Sequence, residues 1–124
     1  MQPVDQQTFG AWGNCLSACV ASILEIPLDE VPLFHDPTSP VYVPQVIKLD
    51  AWLRPVGLCA VEYSLADPAL LAQLPKDLFY ILGGMSPRQR GHVVVACGDN
   101  IVHDPHPSRA GLVSADCFTV IGRL

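Results

Sequence analysis

Apolar residues recur every three or four positions in two stretches of the first half of the chain. The first stretch holds Leu16, Val20, Ile23 and Leu24. It predicts a helix over residues 15–25 that stops before Pro27, because proline cannot continue a helix. The second stretch holds Val46, Ile47, Leu49, Trp52 and Leu53. It predicts a helix over residues 44–53, with Pro44 tolerated in the first turn.

The second half of the chain consists of short apolar segments separated by turn residues. These segments predict strands over residues 58–63, 79–82, 92–97, 101–104 and 117–121. The sequence Gly98-Asp99-Asn100 predicts a turn, so the strands on either side are expected to be antiparallel neighbours. We therefore predict an α+β fold in which an N-terminal helix that carries Cys15 packs on a small antiparallel sheet, formed as one domain over residues 1–124.

Composition and charge narrow the classes of partner. The chain has 12 acidic and seven basic side chains and a net charge of −5, and its basic residues are scattered, so no nucleic-acid binding is expected. No apolar run approaches the ~20 residues that cross a bilayer, so no membrane partner is expected. The first residues lack the pattern of a secretory signal, which favours the cytoplasm. No phosphate-binding glycine loop is present, and no cofactor is predicted.

Cys15 is the first candidate for chemistry. It falls in the first turn of the predicted helix, where free backbone N–H groups and the helix dipole favour a thiolate. The five cysteines of the chain do not form the short repeated pairs of a structural zinc site. Buried free thiols are common, so simple packing of Cys15 under the helix is the alternative. Trp12 is a candidate wall for a pocket around this thiol.

His92 and Asp104 are a candidate pair. His92 opens the most apolar predicted strand, and the hairpin that follows returns the chain to Asp104. A three-residue turn over 98–100 would pair Val94 with Asp104 and place Asp104 on the face of His92, whereas a two-residue turn would put them on opposite faces. The carboxylate could then hold the imidazole in one tautomer. The alternatives are a half-buried structural histidine and an aspartate that serves the turn before Pro105.

Two segments resemble motifs of the papain-like cysteine peptidases: GNCLSACVASIL at residues 13–24, and residues 91–108, which open with GHVVV and end in VHDPHPS. The chain is similar in element order to bacteriocin-leader-processing peptidases and to small relatives from phages and prophages. This resemblance implies a papain-like fold with Cys15 as nucleophile, His92 as general base and Asp104 as orienting residue. It also implies an oxyanion-stabilising glutamine about six residues before the cysteine. Phe9 stands there, and Gln7 is the nearest candidate.

Three classes of function remain open. The first is a cysteine-dependent hydrolase, a peptidase or amidase that forms an acyl-thioester at Cys15 on a peptide, isopeptide or small amide substrate, with a protein partner as an option. The second is a non-catalytic binding or regulatory module on the same fold. The third is a structural zinc domain, with ligands from Cys15, Cys19, His103 and His106.

Overall fold

The computed structural model describes residues 1–10, 13–35 and 38–124. This part of the chain forms helices α1 (Cys15–Leu24) and α2 (Gln45–Leu53) and strands β1 (Leu58–Ser64), β2 (Phe79–Met85), β3 (Gly91–Cys97), β4 (Asn100–His103) and β5 (Ser114–Arg123). Short 3₁₀ turns cover Leu28–Glu30, Arg54–Val56 and Pro68–Gln73. The predicted α+β fold with an antiparallel sheet is confirmed. None of the described helices has the length and apolar character needed to cross a membrane.

The start and end of α1 are fixed by the residues that flank it. The helix stops at Leu24 because Glu25 adopts left-handed backbone angles, with a φ of 58°. Asn14 occupies the cap position, yet its side chain makes no hydrogen bond to the helix. Its carboxamide oxygen instead accepts the backbone N–H groups of Gln7 and Thr8 at 2.9 and 3.1 Å. Asn14 therefore ties the N-terminal segment to the beginning of α1.

The five strands form one antiparallel sheet in the order β1-β5-β2-β3-β4. One face packs against both helices in a cluster that includes Val20, Leu49, Ile81 and Val95. The other face carries a second cluster, which includes Tyr80, Leu82, Val94 and Ala96. On the helical face, α1 lies against β3 and α2 lies against β1. The first residue of α1 is thereby placed beside the first residues of β3.

The β3–β4 hairpin has a shorter turn than predicted, but Asp104 still lies on the predicted face of the sheet. The turn has two residues, 98 and 99, and Cys97 pairs with Asn100, so the predicted three-residue turn is wrong. A register shift then follows, and Val95 lies opposite His103. The extra residue of this β-bulge moves β4 along by one position. Asp104 therefore arrives on the face that the three-residue turn was expected to give it.

Candidate active site

Cys15 lies where α1 meets the start of β3. It is the first residue of α1, and the backbone N–H groups of Val93, Leu16 and Cys15 itself are near enough to its sulfur to lower the pKa of the thiol. Cys15 and His92 line two cavities in common. The packing of one helix on one strand thus brings the predicted nucleophile and the predicted base to the same place.

Burial raises the pKa of the Cys15 thiol above its ordinary value. The three backbone N–H groups lower this pKa, whereas the negative charge of Asp104 raises it. The net direction is upward, opposite to the thiolate that the position at a helix start predicts, because desolvation outweighs the N–H groups. At neutral pH the thiol therefore keeps its proton, and attack by this sulfur requires a base.

Asp104 accepts three hydrogen bonds. Its Oδ1 accepts from His92 Nε2 at 2.7 Å and from the backbone N–H of His106 at 2.9 Å, while Oδ2 accepts from the backbone N–H of Gly111 at 2.8 Å. The His92 and Asp104 side chains are only 5% and 3% exposed. Burial would raise the pKa of Asp104, but these hydrogen bonds outweigh it and the pKa is lowered. The carboxylate therefore both orients His92 and accepts backbone N–H groups of the loop that follows β4.

The bond to Asp104 determines which nitrogen of His92 can act as a base. An ionised carboxylate only accepts hydrogen bonds, so Nε2 of His92 must carry the ring proton. In the neutral imidazole Nδ1 then has no proton and is able to take one. The pair consequently supplies a proton acceptor, oriented by a carboxylate, at the wall of a cavity that Cys15 also lines.

The glutamine beside this site is Gln6, and Gln7 lies elsewhere. The Gln7 side chain is exposed, and its backbone N–H is bonded to Asn14. Gln6 is only 7% exposed and lines a cavity together with Cys15 and His92. Its amide Nε2 donates to the carbonyl of Thr8 at 2.9 Å, and its Oε1 is buried without a hydrogen-bond partner among the described residues.

The spacing argument missed Gln6 because the segment between it and the cysteine is folded back on itself. Gly10 adopts a φ of 76°, and the Gly13 N–H donates to the Gly10 carbonyl at 3.0 Å. The Asn14 N–H donates to the carbonyl of Thr8 at 3.3 Å. The two glycines were the sequence signal for this loop, since a left-handed φ favours glycine at residue 10, and a Cβ at residue 13 would lie 3.1 Å from the Gly10 carbonyl oxygen. Trp12 lies outside the described residues.

The N-terminal segment is attached to the loop that follows β4. The Gln6 N–H donates to the carbonyl of Pro105 at 3.0 Å, and His103 Nε2 lies 2.8 Å from the carbonyl oxygen of Val4. The Arg109 guanidinium holds both carboxylate oxygens of Asp5, at 2.6 and 2.8 Å, and also donates to the carbonyl of residue 104 at 2.5 Å. The segment that carries Gln6 and the loop that carries Asp104 are therefore joined by several hydrogen bonds, and the Arg109 guanidinium contacts both.

His106 lies at the edge of the same site. Its ring packs edge-on against His92 and Phe9, with centroid separations of 6.2 and 5.4 Å. Nδ1 of His106 is 2.8 Å from the hydroxyl of Ser108. Burial and the positive charge of Arg88 are the first causes that lower the pKa of His106. The ring is therefore neutral at pH 7 and forms a wall of the cavity beside Gln6 and Cys15.

The hypothesis of a structural zinc site has no group of metal ligands to support it in the described part of the chain. No three His, Cys, Asp or Glu side chains there are grouped to hold a metal ion. Cys19 is fully buried in the helical core, and burial raises the pKa of its thiol well above the usual value. His103 contacts Asp5 at 3.3 Å in addition to the Val4 carbonyl. Cys19 is enclosed by the core and the ring nitrogen of His103 is already hydrogen-bonded, so neither side chain suits a metal ligand.

A cavity of about 250 Å³ extends from Cys15 and His92 across the helical face of the sheet. Its walls are partly polar and partly apolar, and the apolar part includes Leu16, Val46, Leu49, Ile81 and Val93. Away from Cys15 it is lined by Glu62, Cys117 and Thr119, three residues that the sequence did not single out. They come together only because β1 pairs with β5, which sets Glu62 opposite Thr119. No local pattern in the sequence indicates that pairing.

No family model, curated protein or solved structure matches this chain. The interpretation of the site therefore depends on its own geometry and chemistry.

Proposed function

We propose that this protein is a cysteine-dependent hydrolase of papain-like architecture that cleaves a peptide, isopeptide or small amide bond. The observation that carries the proposal is the buried hydrogen bond of 2.7 Å between His92 and Asp104, at a cavity that Cys15 also lines. A histidine oriented by a carboxylate beside a cysteine is the arrangement that thiol hydrolases use to activate sulfur.

In the proposed reaction, Nδ1 of His92 takes the thiol proton as the Cys15 sulfur attacks the substrate carbonyl carbon. The tetrahedral intermediate collapses, the C–N bond breaks, and the imidazolium returns the proton to the leaving amine. His92 then removes a proton from water, which attacks the acyl-thioester and releases the acid and the free thiol. Asp104 stabilises the imidazolium in both halves of the reaction.

The oxyanion role that the resemblance gave to a glutamine belongs, in this proposal, to Gln6 rather than Gln7. An amide NH₂ carries two hydrogens, and only one is used on the Thr8 carbonyl. Nε2 of Gln6 lies 3.5 Å from the position that a Cβ at residue 13 would occupy, close to the start of α1. Its second hydrogen and the backbone N–H of Cys15 are the two donors we assign to the developing oxyanion.

The test is the alkylation rate of each thiol with iodoacetamide at neutral pH. If His92 activates Cys15, this thiol should react roughly tenfold or more faster than Cys59 and Cys97. His92→Gln should abolish that advantage while leaving the rates of the other thiols unchanged. Equal, slow labelling of all the accessible thiols in the folded wild-type protein would overturn the proposal.

The raised pKa of Cys15 is the observation that favours a second candidate, a binding or regulatory module without turnover. Under this alternative, the cavity binds a peptide and the thiol is a buried wall group. Slow labelling of Cys15 together with retained peptide binding is its expected result. For either candidate we propose a reducing compartment such as the cytoplasm, in which the five free cysteines would stay reduced.

A further inference from the structure

The cavity that leads away from Cys15 has one charged end. Of the described residues that line it, Glu62 alone carries a carboxylate, and none is lysine or arginine. Glu62 lies on β1 opposite Thr119 of β5, on the face that packs against the helices. No described residue forms an ion pair with it. The carboxylate is therefore available to a positively charged group that enters the cavity.

Cys117 is the neighbour of Glu62 in this cavity. Both residues line it, so the Glu62 carboxylate lies on the cavity side of the strand. Burial, followed by the carboxylates of Asp116 and Glu62, raises the pKa of Cys117 to about 12. The thiol is therefore neutral and does not compete as an anion. Residue 83 must be small to leave room for the Cys117 thiol, because a Cβ on Gly83 would lie 2.8 Å from the Cys117 sulfur.

Two further cavities that Cys15 lines have the opposite charge. Both are bordered by Arg90, and one of them also by Arg88. A charged substrate at Cys15 therefore meets guanidinium groups in these two cavities and a carboxylate in the first. Such an arrangement orients a charged ligand, because the wrong direction places like charges together.

We propose that this cavity is a specificity subsite for a substrate side chain with an apolar stem and a cationic end, as in lysine or arginine. The stem contacts the apolar walls formed by Leu16, Val46, Ile81 and Val93, and the cation pairs with Glu62. The inference rests on the proposed hydrolase function, since it describes the substrate of the same site. It adds the class of side chain, which neither the fold nor the catalytic groups define.

The probes are acetylated dipeptide acyloxymethyl ketones that contain one lysine and one glycine, in either order. The matched uncharged probes carry norleucine in place of lysine. In this reaction a bond forms between the Cys15 sulfur and the methylene carbon, the carboxylate leaves with its electron pair, and the thiol proton passes to His92. Glu62 is exposed in the free protein, and for an exposed ion pair we expect the lysine probe to label Cys15 about threefold faster than the norleucine probe. In 1 M salt this ratio should fall.

Two variants assign the effect to one carboxylate. Glu62→Gln should bring the lysine-to-norleucine ratio close to one without changing the iodoacetamide rate of Cys15. Asp116→Asn is the control, because it removes an equal charge beside the same Cys117 thiol but outside the cavity lining. It should keep the wild-type ratio.

The failures of the two proposals are distinguishable. A ratio of one in the wild-type protein, or a ratio unchanged by Glu62→Gln, overturns the subsite while fast iodoacetamide labelling of Cys15 leaves the hydrolase proposal standing. Absence of labelling by both ketones together with slow labelling by iodoacetamide overturns both.

Discussion

Burial acts on both Cys15 and Asp104, with different outcomes at the level of single residues. Desolvation raises the pKa of the thiol, because sulfur is a weak acceptor and the N–H groups around it compensate only in part. The carboxylate receives donors on both oxygens, which keeps its pKa low in spite of burial. The thiol therefore holds a proton that the His92–Asp104 pair is arranged to remove. Catalysis in this site would depend on proton transfer rather than on a preformed thiolate.

This reasoning gives a pH profile for Cys15 alkylation. If His92 removes the thiol proton, Cys15 should already react rapidly at neutral pH. In His92→Gln rapid alkylation should require a pH above about 9, because burial raises the pKa of a thiol that has no base beside it. Mass spectrometry of iodoacetamide adducts across this pH range measures both profiles. Identical profiles for the two proteins would show that His92 does not act on Cys15.

The two adjacent glutamines provide a matched pair for the oxyanion assignment. A short peptide aldehyde forms a hemithioacetal with Cys15, whose oxygen resembles the oxyanion of the reaction. Gln6→Ala should weaken protection of Cys15 by the aldehyde about tenfold, because one donor to that oxygen is lost. Gln7→Ala should have no effect, since this side chain is exposed. A loss of protection in Gln7→Ala alone would return the role to Gln7, the glutamine nearest to the usual spacing.

At the scale of elements, two register shifts shape the site. In the β3–β4 hairpin, a bulge compensates for the short turn and brings Asp104 to His92. Between β2 and β5, the pairing moves from Gly83 opposite Cys117 to Gly84 opposite Ala115. Both shifts are invisible to a pattern of alternating residues, which assumes an unbroken ladder. The strands could therefore be predicted within a few residues, whereas the detailed register could not.

Gly84 should be the least replaceable of the strand glycines. A Cβ at this position would overlap the carbonyl oxygen of Ser114 and lie 2.9 Å from the Cα of Ala115. Because backbone atoms must move, Gly84→Ala should lower the free energy of unfolding by about 3 kcal/mol. Gly122→Ala is the control, because a Cβ there meets nothing within 4 Å. Denaturant titration compares the two, and equal stabilities would mean that β2 and β5 are further apart than the structure has them.

Arg109 should hold the N-terminal segment against the loop after β4. Lysine cannot reproduce the two-pronged contact with Asp5, so Arg109→Lys should make the Gln6 amide exchange several-fold faster with deuterium. The matched control is Arg54→Lys, which alters an exposed pair with Asp50 on α2 and should leave exchange at Gln6 unchanged. Hydrogen exchange read by mass spectrometry gives both rates. Unchanged exchange in Arg109→Lys would show that the other contacts of the segment suffice.

At the scale of the whole molecule, a feature could be predicted when it depends on residues close together in sequence. Helix limits, strand positions and the presence of a hairpin around residue 98 depend on neighbours in sequence, and the sequence predicted them within a few residues, although the length of the turn was wrong. The insertion of β5 between β1 and β2 depends on pairings between residues that are 29 to 65 positions apart in the chain. It creates the cavity with Glu62 and Cys117, which no local pattern could indicate. The pair of His92 and Asp104 was accessible because one hairpin joins them.

The Asp104 carboxylate should also contribute to the stability of the whole protein, and this contribution should depend on pH. A group whose pKa is lowered on folding contributes stability above its unfolded pKa of about 3.9, and loses that contribution as the pH falls through the folded value. Asp104→Asn removes an ionised acceptor of three hydrogen bonds and should therefore cost about 2 kcal/mol of unfolding free energy at pH 7. The difference from wild type should shrink as the pH falls below about 4, because the wild-type carboxylate also becomes neutral. Urea titrations at pH 7 and at several acidic values measure this convergence. A difference that stays constant with pH would mean that the cost comes from packing and not from the charge that orients His92.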